Sequence, residues 1–328
     1  MSKPMVSAKP GRRAAGWMLV LAATGCSTSS GPPSVSPSAH PSQMSVSPSM
    51  VATASPVPAS FGSGTIAFGS ERDGNGEIYV ARADGSLVNL TQNPAVDAQP
   101  TWSPDGTRIA FASDREGNME IYAMNADGSG LARLTDDVAG DGFPAWSPDG
   151  TRIAFASDRA GSADIYLMKA DGSEVTQLTD DPDNDLAPAW SPDGTRLAFD
   201  RDRGGVNFDI YVINADGSGE VQLTDTPAGD ESPAWSPDGS QIAFFTDRDG
   251  NFEIYLMSPD GSGAMRITAD PSDDALPAWS PDGAQLAIVS TRDGNEEVYI
   301  VNADGSGAIR LTNDPADDGE PAWSVVSP

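Results

Sequence analysis

The chain has 328 residues, and 48 acidic against 19 basic residues give it a formal net charge of -29 at pH 7. This excess of carboxylates argues against a nucleic-acid-binding protein, because clustered cations are needed to hold a phosphate backbone. One Cys and one His exclude a disulfide framework and a Cys/His zinc site. The 34 Gly and 27 Pro residues favour a β-rich fold with many turns.

The first 25 residues have the layout of an export signal. Four basic residues precede an apolar run over residues 14–23, which is too short to span a bilayer because that requires about 20 apolar residues. Cys26 follows the small residue Gly25, and this ending resembles the lipobox of bacterial lipoproteins. The resemblance implies a removed signal peptide, residues 1–25, and a lipid attached to Cys26. The alternative is a plain secretory signal followed by an unmodified cysteine.

Residues 26–60 are predicted to be a disordered tether. From residue 27 onward this segment contains no Asp, Glu, Lys or Arg and consists largely of Ser, Pro, Ala and Val. Such a composition cannot bury enough apolar surface to fold, and its prolines keep the chain extended. The only histidine, His40, lies in this tether, so we assign it no catalytic or ligand role.

Six copies of one unit fill the rest of the chain. Most of the six carry Pro-Ala-Trp-Ser, five continue with Pro-Asp-Gly, and their tryptophans are 44 or 45 residues apart: Trp102, Trp146, Trp190, Trp235, Trp279 and Trp323. After the tryptophan strand come an apolar strand such as 108–113, a second such as 120–125, and a short strand ending in Leu-Thr. Four strands in about 44 residues match the size of a β-propeller blade.

The ends of the repeat array predict a closed ring. The array begins at residue 64 with a second strand and finishes at Trp323 with a first strand, so one blade is complete only if the two ends pair. An open array would leave bare strand edges. Within strand 108–113, Ile109 and Phe111 share one face and alanines the other, which lets blades stack thick face on thin face. We therefore predict an all-β fold over residues 61–328, a six-bladed β-propeller of four-stranded blades.

The repeat resembles the WD-like β-propeller repeats of the TolB family. The likeness rests on Trp-Ser-Pro-Asp-Gly at 146–150, Ile-Ala-Phe at 153–155, Ile-Tyr at 165–166 and Leu-Thr at 178–179, and it extends over all six units. It implies a location in the bacterial envelope and the binding of partner proteins or peptides at the mouth of the central channel. The chain lacks the preceding α/β domain of TolB itself, and this departure argues against a role in the Tol-Pal assembly.

Catalysis is not expected. There is no Gly-x-Ser-x-Gly elbow, and without a histidine after the tether there is no Ser-His-Asp relay. Paired carboxylates of the glycoside-hydrolase type remain the alternative, since Asp and Glu are abundant. We predict that the protein is not an enzyme and keep a carbohydrate-binding or carbohydrate-active propeller as the second possibility.

One acidic position recurs in all six units, five residues before the tryptophan: Asp97, Asp141, Asp185, Asp230, Asp274 and Asp318. If the tryptophan strand is innermost, as the family resemblance implies, these carboxylates ring one mouth of the channel. Unit charges about 8 Å apart repel by about 2 kcal/mol at an effective dielectric of 20, so the ring should raise its own pKa values or recruit a cation such as Ca²⁺. The alternative is a structural role in which each Asp caps its own loop.

An arginine also recurs, in the loop between the second and third strands: Arg72, Arg115, Arg159, Arg203, Arg248 and Arg292. We predict that it pairs with the acid two residues before the repeat's tyrosine. The six tryptophans are predicted to be packing residues, with sugar-binding platforms as the alternative.

These patterns predict a monomeric, extracytoplasmic binding protein of the cell envelope, attached to the membrane by a lipid on Cys26. Its acidic propeller channel would receive an envelope protein or peptide, expected to be cationic, with Ca²⁺ as a possible bridge and no required cofactor. No nucleic-acid partner is expected.

Overall fold

The computed structural model describes residues 64–205 and 207–324. All regular structure in these residues is β-strand, and no helix long and apolar enough to cross a membrane occurs among them. The predicted signal peptide, the lipid site at Cys26 and the tether lie outside the described residues, and those assignments stay predictions.

Six sheets of four antiparallel strands form six blades. Blade 1 contains β24 (Asp318–Trp323), β1 (Ile66–Ser70), β2 (Glu77–Ala81) and β3 (Leu87–Asn89). Blade 2 contains β4 (Asp97–Trp102), β5 (Arg108–Ser113), β6 (Glu120–Asn125) and β7 (Ala132–Arg133). Blade 3 contains β8 (Asp141–Trp146), β9 (Arg152–Ser157), β10 (Asp164–Lys169) and β11 (Thr176–Gln177).

The remaining blades repeat this order. Blade 4 contains β12 (Asn184–Trp190), β13 (Arg196–Asp202), β14 (Phe208–Asn214) and β15 (Val221–Gln222). Blade 5 contains β16 (Asp230–Trp235), β17 (Ile242–Thr246), β18 (Glu253–Met257) and β19 (Met265–Arg266). Blade 6 contains β20 (Asp274–Trp279), β21 (Gln285–Ser290), β22 (Glu297–Asn302) and β23 (Ile309–Arg310).

The ring closes as predicted, through blade 1. β24 pairs antiparallel with β1, with Trp323 opposite Ile66 and Asp318 opposite Ser70. The amide of Ser324 continues the pairing, since it donates to the Thr65 carbonyl at 2.8 Å. The first strands of neighbouring blades also contact one another around the whole circle, β24 on β4 and β20 on β24 included. The tryptophan strand is therefore the innermost strand, and the predicted all-β, six-bladed propeller is confirmed.

Blades stack with a thick face against a thin face. Ala110 and Ala112 of blade 2 pack against Ile153 and Phe155 of blade 3, and all four side chains are completely buried. Full burial of one such large apolar side chain contributes about 1.5–3 kcal/mol. Because each blade covers its neighbour, the core is a set of six inter-blade layers rather than one central cluster.

Every innermost strand contains a β-bulge just after the residue that follows its recurring aspartate. In blade 2 the register shifts between Ala98 and Thr101, and the bulged residue Gln99 has a φ of 57°. The same position has positive φ in all six blades, at Gln99, Phe143, Ala187, Ser232, Leu276 and Glu320. A bulge bends a strand and re-aims one side chain. Here it gives each blade one side chain that lines the central channel.

Candidate functional site

The six recurring aspartates lie at the start of the innermost strands and are fully buried. Each forms an ion pair with an arginine, with shortest N to O distances between 2.6 and 2.9 Å. The pairs are Asp97–Arg115, Asp141–Arg159, Asp185–Arg201, Asp230–Arg248, Asp274–Arg292 and Asp318–Arg72. The charge at this position is thus matched inside the protein.

The arginine of each pair links three parts of one blade. In blade 2, Arg115 donates through Nε to the Ser113 hydroxyl at 2.9 Å and through Nη2 to Asp97 at 2.8 Å. Its guanidinium also lies 4.6 Å from the centre of the Tyr122 ring, within the range of a cation–π contact. These contacts tie the first, second and third strands together at one end of the blade, which is a structural role.

Burial raises the pKa of four of the ring aspartates, Asp141, Asp185, Asp274 and Asp318, and that of Asp185 reaches about 6. We expected mutual repulsion across the channel to raise these pKa values. Loss of solvation is instead the main cause, and the paired arginine opposes it.

The ion pairs favour the structural alternative for the aspartate ring. Among the described residues, no group of three or more His, Cys, Asp or Glu side chains is arranged to hold a metal ion. Binding of Ca²⁺ by Asp97, Asp141, Asp185, Asp230, Asp274 and Asp318 stays a prediction, and the structure adds no observation in its favour.

The predicted partner of the recurring arginine was wrong in five blades. In blade 2 the acid two residues before the tyrosine is Glu120, and it binds the Thr135 hydroxyl and Arg133 rather than Arg115. Both acids lie at the same end of the blade, so sequence spacing could not separate them. Asp97 is the first residue of β4, which pairs with β5, and Arg115 lies just after the end of β5. This pairing brings the two side chains within hydrogen-bonding reach.

Blade 4 departs from the other five. Arg201 lies on strand β13 directly opposite Asp185, where blade 2 has Ser113 opposite Asp97, and it takes the place of the loop arginine as the partner of Asp185. Arg203 instead pairs with Asp209 at 3.0 Å, which is the partner that the sequence predicted. An arginine at the strand position that has a hydroxyl residue in the other blades is the physical reason for the exchange.

The six tryptophans are packing residues, as predicted. Each is between 6% and 9% exposed and belongs to the layer between two blades. The indole N–H of Trp190 donates to the Ala145 carbonyl of the preceding blade at 3.1 Å. None of the six presents the exposed ring face that a sugar platform requires.

The central channel holds a cavity of about 870 Å³, counted with the solvent that opens onto it. Its wall consists mainly of the six bulged residues and the proline that follows each of them, together with Phe245 and Ala275. The bulged residues and the prolines lie between the ring aspartate and the tryptophan of each innermost strand. Glu320 is the one charged residue among the described residues that line the cavity.

Side chains from one blade hold the bulged backbone of the next. Glu320 accepts a hydrogen bond from the Gln99 amide at 2.6 Å, and Gln99 in turn accepts one from the Phe143 amide at 2.7 Å. The Ser232 amide donates to Asp200 of the preceding blade at 2.8 Å. These bonds fix the positions of channel-lining residues, so the cavity wall is pre-organised.

Four acids of low exposure lie at two junctions between blades, and we call them the junction acids. Asp200 and Glu231 are buried and form the first pair, and Glu296 and Glu320 are half-buried and form the second. Asp200 lies on the face of blade 4 that packs on blade 5. The equivalent residue of blade 5 is Phe245, which packs on Ala275 of blade 6. Glu296 lies on the corresponding face of blade 6, where blades 2 and 5 have the buried apolar residues Met119 and Phe252.

Burial raises the pKa of each junction acid. The pKa is about 7 for Asp200, Glu296 and Glu320 and about 8 for Glu231. Desolvation is the largest cause in each case, and the charge of Asp200 further raises that of Glu231, as the charge of Glu296 does for Glu320. In the described part of the chain, the charges that shift these pKa values are all negative.

The sequence analysis missed the junction acids, although the repeat contains a signal for them. At each of the four positions the other five units have no acidic residue. At the position equivalent to Glu231, for example, they have Ala98, Gly142, Leu186, Ala275 and Gly319. An acid that appears once at a position otherwise occupied by neutral residues is a departure from the structural pattern. The repeated aspartates attracted the functional prediction instead.

Stability is expected to fall as the pH rises from 5 to 8. In the folded protein the junction acids keep protons at pH values where the unfolded chain, with ordinary carboxyl pKa values near 4, has lost them. Their contribution is therefore complete below about pH 4 and is lost as the pH rises through 7 to 8. We expect the free energy of unfolding to drop by at least about 2 kcal/mol, measured by urea unfolding at the two pH values.

The variant Glu231→Gln should lessen this dependence, because the glutamine cannot lose a proton. As a control, Glu174→Gln removes an exposed carboxylate and should leave the slope unchanged. Equal free energies of unfolding at pH 5 and pH 8 in the unaltered protein would contradict the assignment of raised pKa values.

The fold and the channel define a closed six-bladed β-propeller with a preformed, mostly apolar cavity on its axis. The chain belongs to the TolB β-propeller domain family, whose model matches the overlapping segments 45–141, 117–184, 137–208 and 182–276.

Solved structures show the same fold. TolB from Acinetobacter baumannii is 23% identical with a TM-score of 0.71, and the match covers 80% of this chain and 66%, just under two thirds, of that chain. A TolB-type protein from Agrobacterium tumefaciens is 26% identical with a TM-score of 0.62, over 76% of this chain and 89% of that one.

Oligogalacturonate lyase from Vibrio parahaemolyticus is 16% identical with a TM-score of 0.52, over 77% of this chain and 75% of that one. At this identity the likeness shows the fold alone, and the fold is shared by proteins of different function. No curated protein sequence matches the chain.

Proposed function

We propose that this protein is an extracytoplasmic binding protein whose channel holds a cationic segment of an envelope protein or peptide. The observation that carries the proposal is the preformed channel cavity, in which Glu320 is the one acidic residue among the described residues of an otherwise neutral wall. Membership of the TolB propeller family supports a location in the envelope and a protein partner. Attachment to the membrane through Cys26 is part of the proposal and rests on the sequence.

The cavity wall suits a lysine or arginine side chain. Prolines, Phe143 and Leu276 offer apolar surface to the methylene stem, while Glu320 offers a carboxylate to the charged head. One oxygen of Glu320 is held by the Gln99 amide, so the carboxylate is already oriented. A carboxylate fixed before binding loses little conformational entropy when a cation arrives.

The test uses a capped, fluorescently labelled heptapeptide with one central lysine, compared with a peptide that carries norleucine at the same place. We expect the lysine peptide to bind at least about tenfold more tightly, and Glu320→Gln to abolish most of that preference. Rising salt should weaken the lysine peptide more than the norleucine peptide.

The variant Glu174→Gln changes the net charge equally, at an exposed residue away from the channel, and should bind like the unaltered protein. Equal binding of the two peptides, or a lysine preference that Glu320→Gln leaves intact, would refute the proposed function.

A further inference from the structure

The two junction-acid pairs lie at different points around the ring, at the end of the blades where the ring aspartates lie. The first pair, Asp200 with Glu231, lies between blades 4 and 5, and the second pair, Glu296 with Glu320, lies between blades 6 and 1. Blades 5 and 6 therefore separate them around the ring. The wall between the pairs is formed by blades 5 and 6, which place Phe245, Ala275 and Leu276 at the cavity.

Each pair contains a buried carboxylate oxygen that has no hydrogen-bond partner. These atoms are Oδ1 of Asp200 and Oε2 of Glu296. A buried polar atom without a partner costs about 1–3 kcal/mol, and charged groups cost more, so such atoms are rare in folded proteins. Asp200 is itself fully buried, and its other oxygen holds the amide of Ser232, a residue of the cavity wall.

Among residues 64–205 and 207–324, no cation forms an ion pair with these acids. The nearest arginine along the chain, Arg201, is engaged by Asp185 and Glu220. The groups whose charges act on Glu231 are Asp200, Asp247, Asp230 and Asp202, and those acting on Glu296 are Asp317, Glu71 and Asp273. At pH values where these acids are ionised, both pairs thus present unbalanced negative charge, in contrast to the six ring aspartates, which all have an arginine.

We propose that the two pairs are two subsites for basic side chains of one bound segment, which carries an apolar residue between two basic residues. The inference rests on the proposed function and specifies its ligand. One basic side chain pairs with Glu320 and Glu296, and the other pairs with Glu231 in front of Asp200. The intervening apolar side chain packs on Phe245 and Leu276. Two tethered contacts strengthen binding only when both can form together.

The test uses capped peptides with two lysines separated by one to four residues that include a leucine, and matched peptides in which either lysine or both are norleucine. In the unaltered protein the best two-lysine peptide should bind at least tenfold more tightly than either one-lysine peptide. The double variant Asp200→Ala, Glu231→Ala should reduce this advantage of the second lysine to less than about twofold.

The same double variant should still prefer one lysine to none, because Glu320 is intact. Other junctions have alanine at the equivalent positions, such as Ala112 in place of Asp200 and Ala275 in place of Glu231. The double variant is therefore expected to fold. A thermal transition as cooperative as that of the unaltered protein will establish this.

The pH dependence of binding provides a second readout, because a protonated carboxyl must release its proton before it can pair with a lysine. A lysine head binds an ionised carboxylate, so the affinity for the two-lysine peptide should rise between pH 6 and pH 8.5, and the rise should shrink in the double variant. An undiminished advantage of the second lysine in the double variant would overturn the inference while leaving the proposed function standing. If the unaltered protein binds lysine peptides no more tightly than norleucine peptides, the proposed function itself is refuted.

Discussion

Deletion of β24 is expected to abolish cooperative folding of the whole propeller. Without residues 318–324, strand β1 loses its inner neighbour, and Ile66 and Phe68, both fully buried, lose the cover of Trp323. Blade 6 also loses the surface that packs on it. Because each blade is stable only between two neighbours, the defect should spread in both directions around the ring.

The measurement is thermal unfolding followed by circular dichroism, together with limited proteolysis. We expect no sharp transition and rapid cleavage within the blades. As the matched control, a permuted chain carries residues 318–324 in front of residue 64, joined by a Pro-Asp-Gly turn like those of the other blades. It should recover a cooperative transition, and a deletion variant that melts like the unaltered protein would contradict closure through β24.

The variant Arg159→Met is expected to destabilise the protein by about 3–5 kcal/mol. It removes the cation from the fully buried Asp141 and leaves an uncompensated charge. Burial already raises the pKa of Asp141, so losing the arginine should raise it further. At about 2–4 °C per kcal/mol for a domain of this size, the melting temperature should fall by roughly 6–20 °C.

The matched control is Arg152→Met, which removes a cation at the opposite end of the same strand. Arg152 lies over the Trp190 ring at 4.7 Å and forms no ion pair with a buried acid among the described residues, so its loss should cost less than about 1 kcal/mol. The double variant Asp141→Asn, Arg159→Met should recover part of the stability. If Arg159→Met and Arg152→Met destabilised the protein equally, the loss of the buried Asp141–Arg159 pair would not be the cause of the destabilisation.

Closure and blade stacking followed from the sequence because both depend on features that are local or periodic. The array starts in mid-unit at residue 64 and supplies the missing strand at Trp323, which leaves one way to complete six blades. The alternation of Ile109 and Phe111 with alanines fixed the two faces of each sheet. Period-two patterning and turn chemistry are sufficient for such predictions.

The site itself could be predicted only in part. The six aspartates all lie at the start of the innermost strands, but sequence spacing did not reveal that Arg115 reaches Asp97 and not Glu120. The bulge at Gln99 was also hidden, since a non-glycine residue with positive φ has no dependable sequence signal. Contacts such as Asp200 with the Ser232 amide join different blades and depend on how the blades face each other.

The pairing of β24 with β1 also dictates an order of events during synthesis. A chain emerges with its N-terminus first, so the outer three strands of blade 1 are the first to be made, and their inner partner is the last. Until the final residues leave the ribosome or an export channel, Ile66 and Phe68 face solvent on one side. A protein built this way has to be shielded from aggregation for the full time of its production.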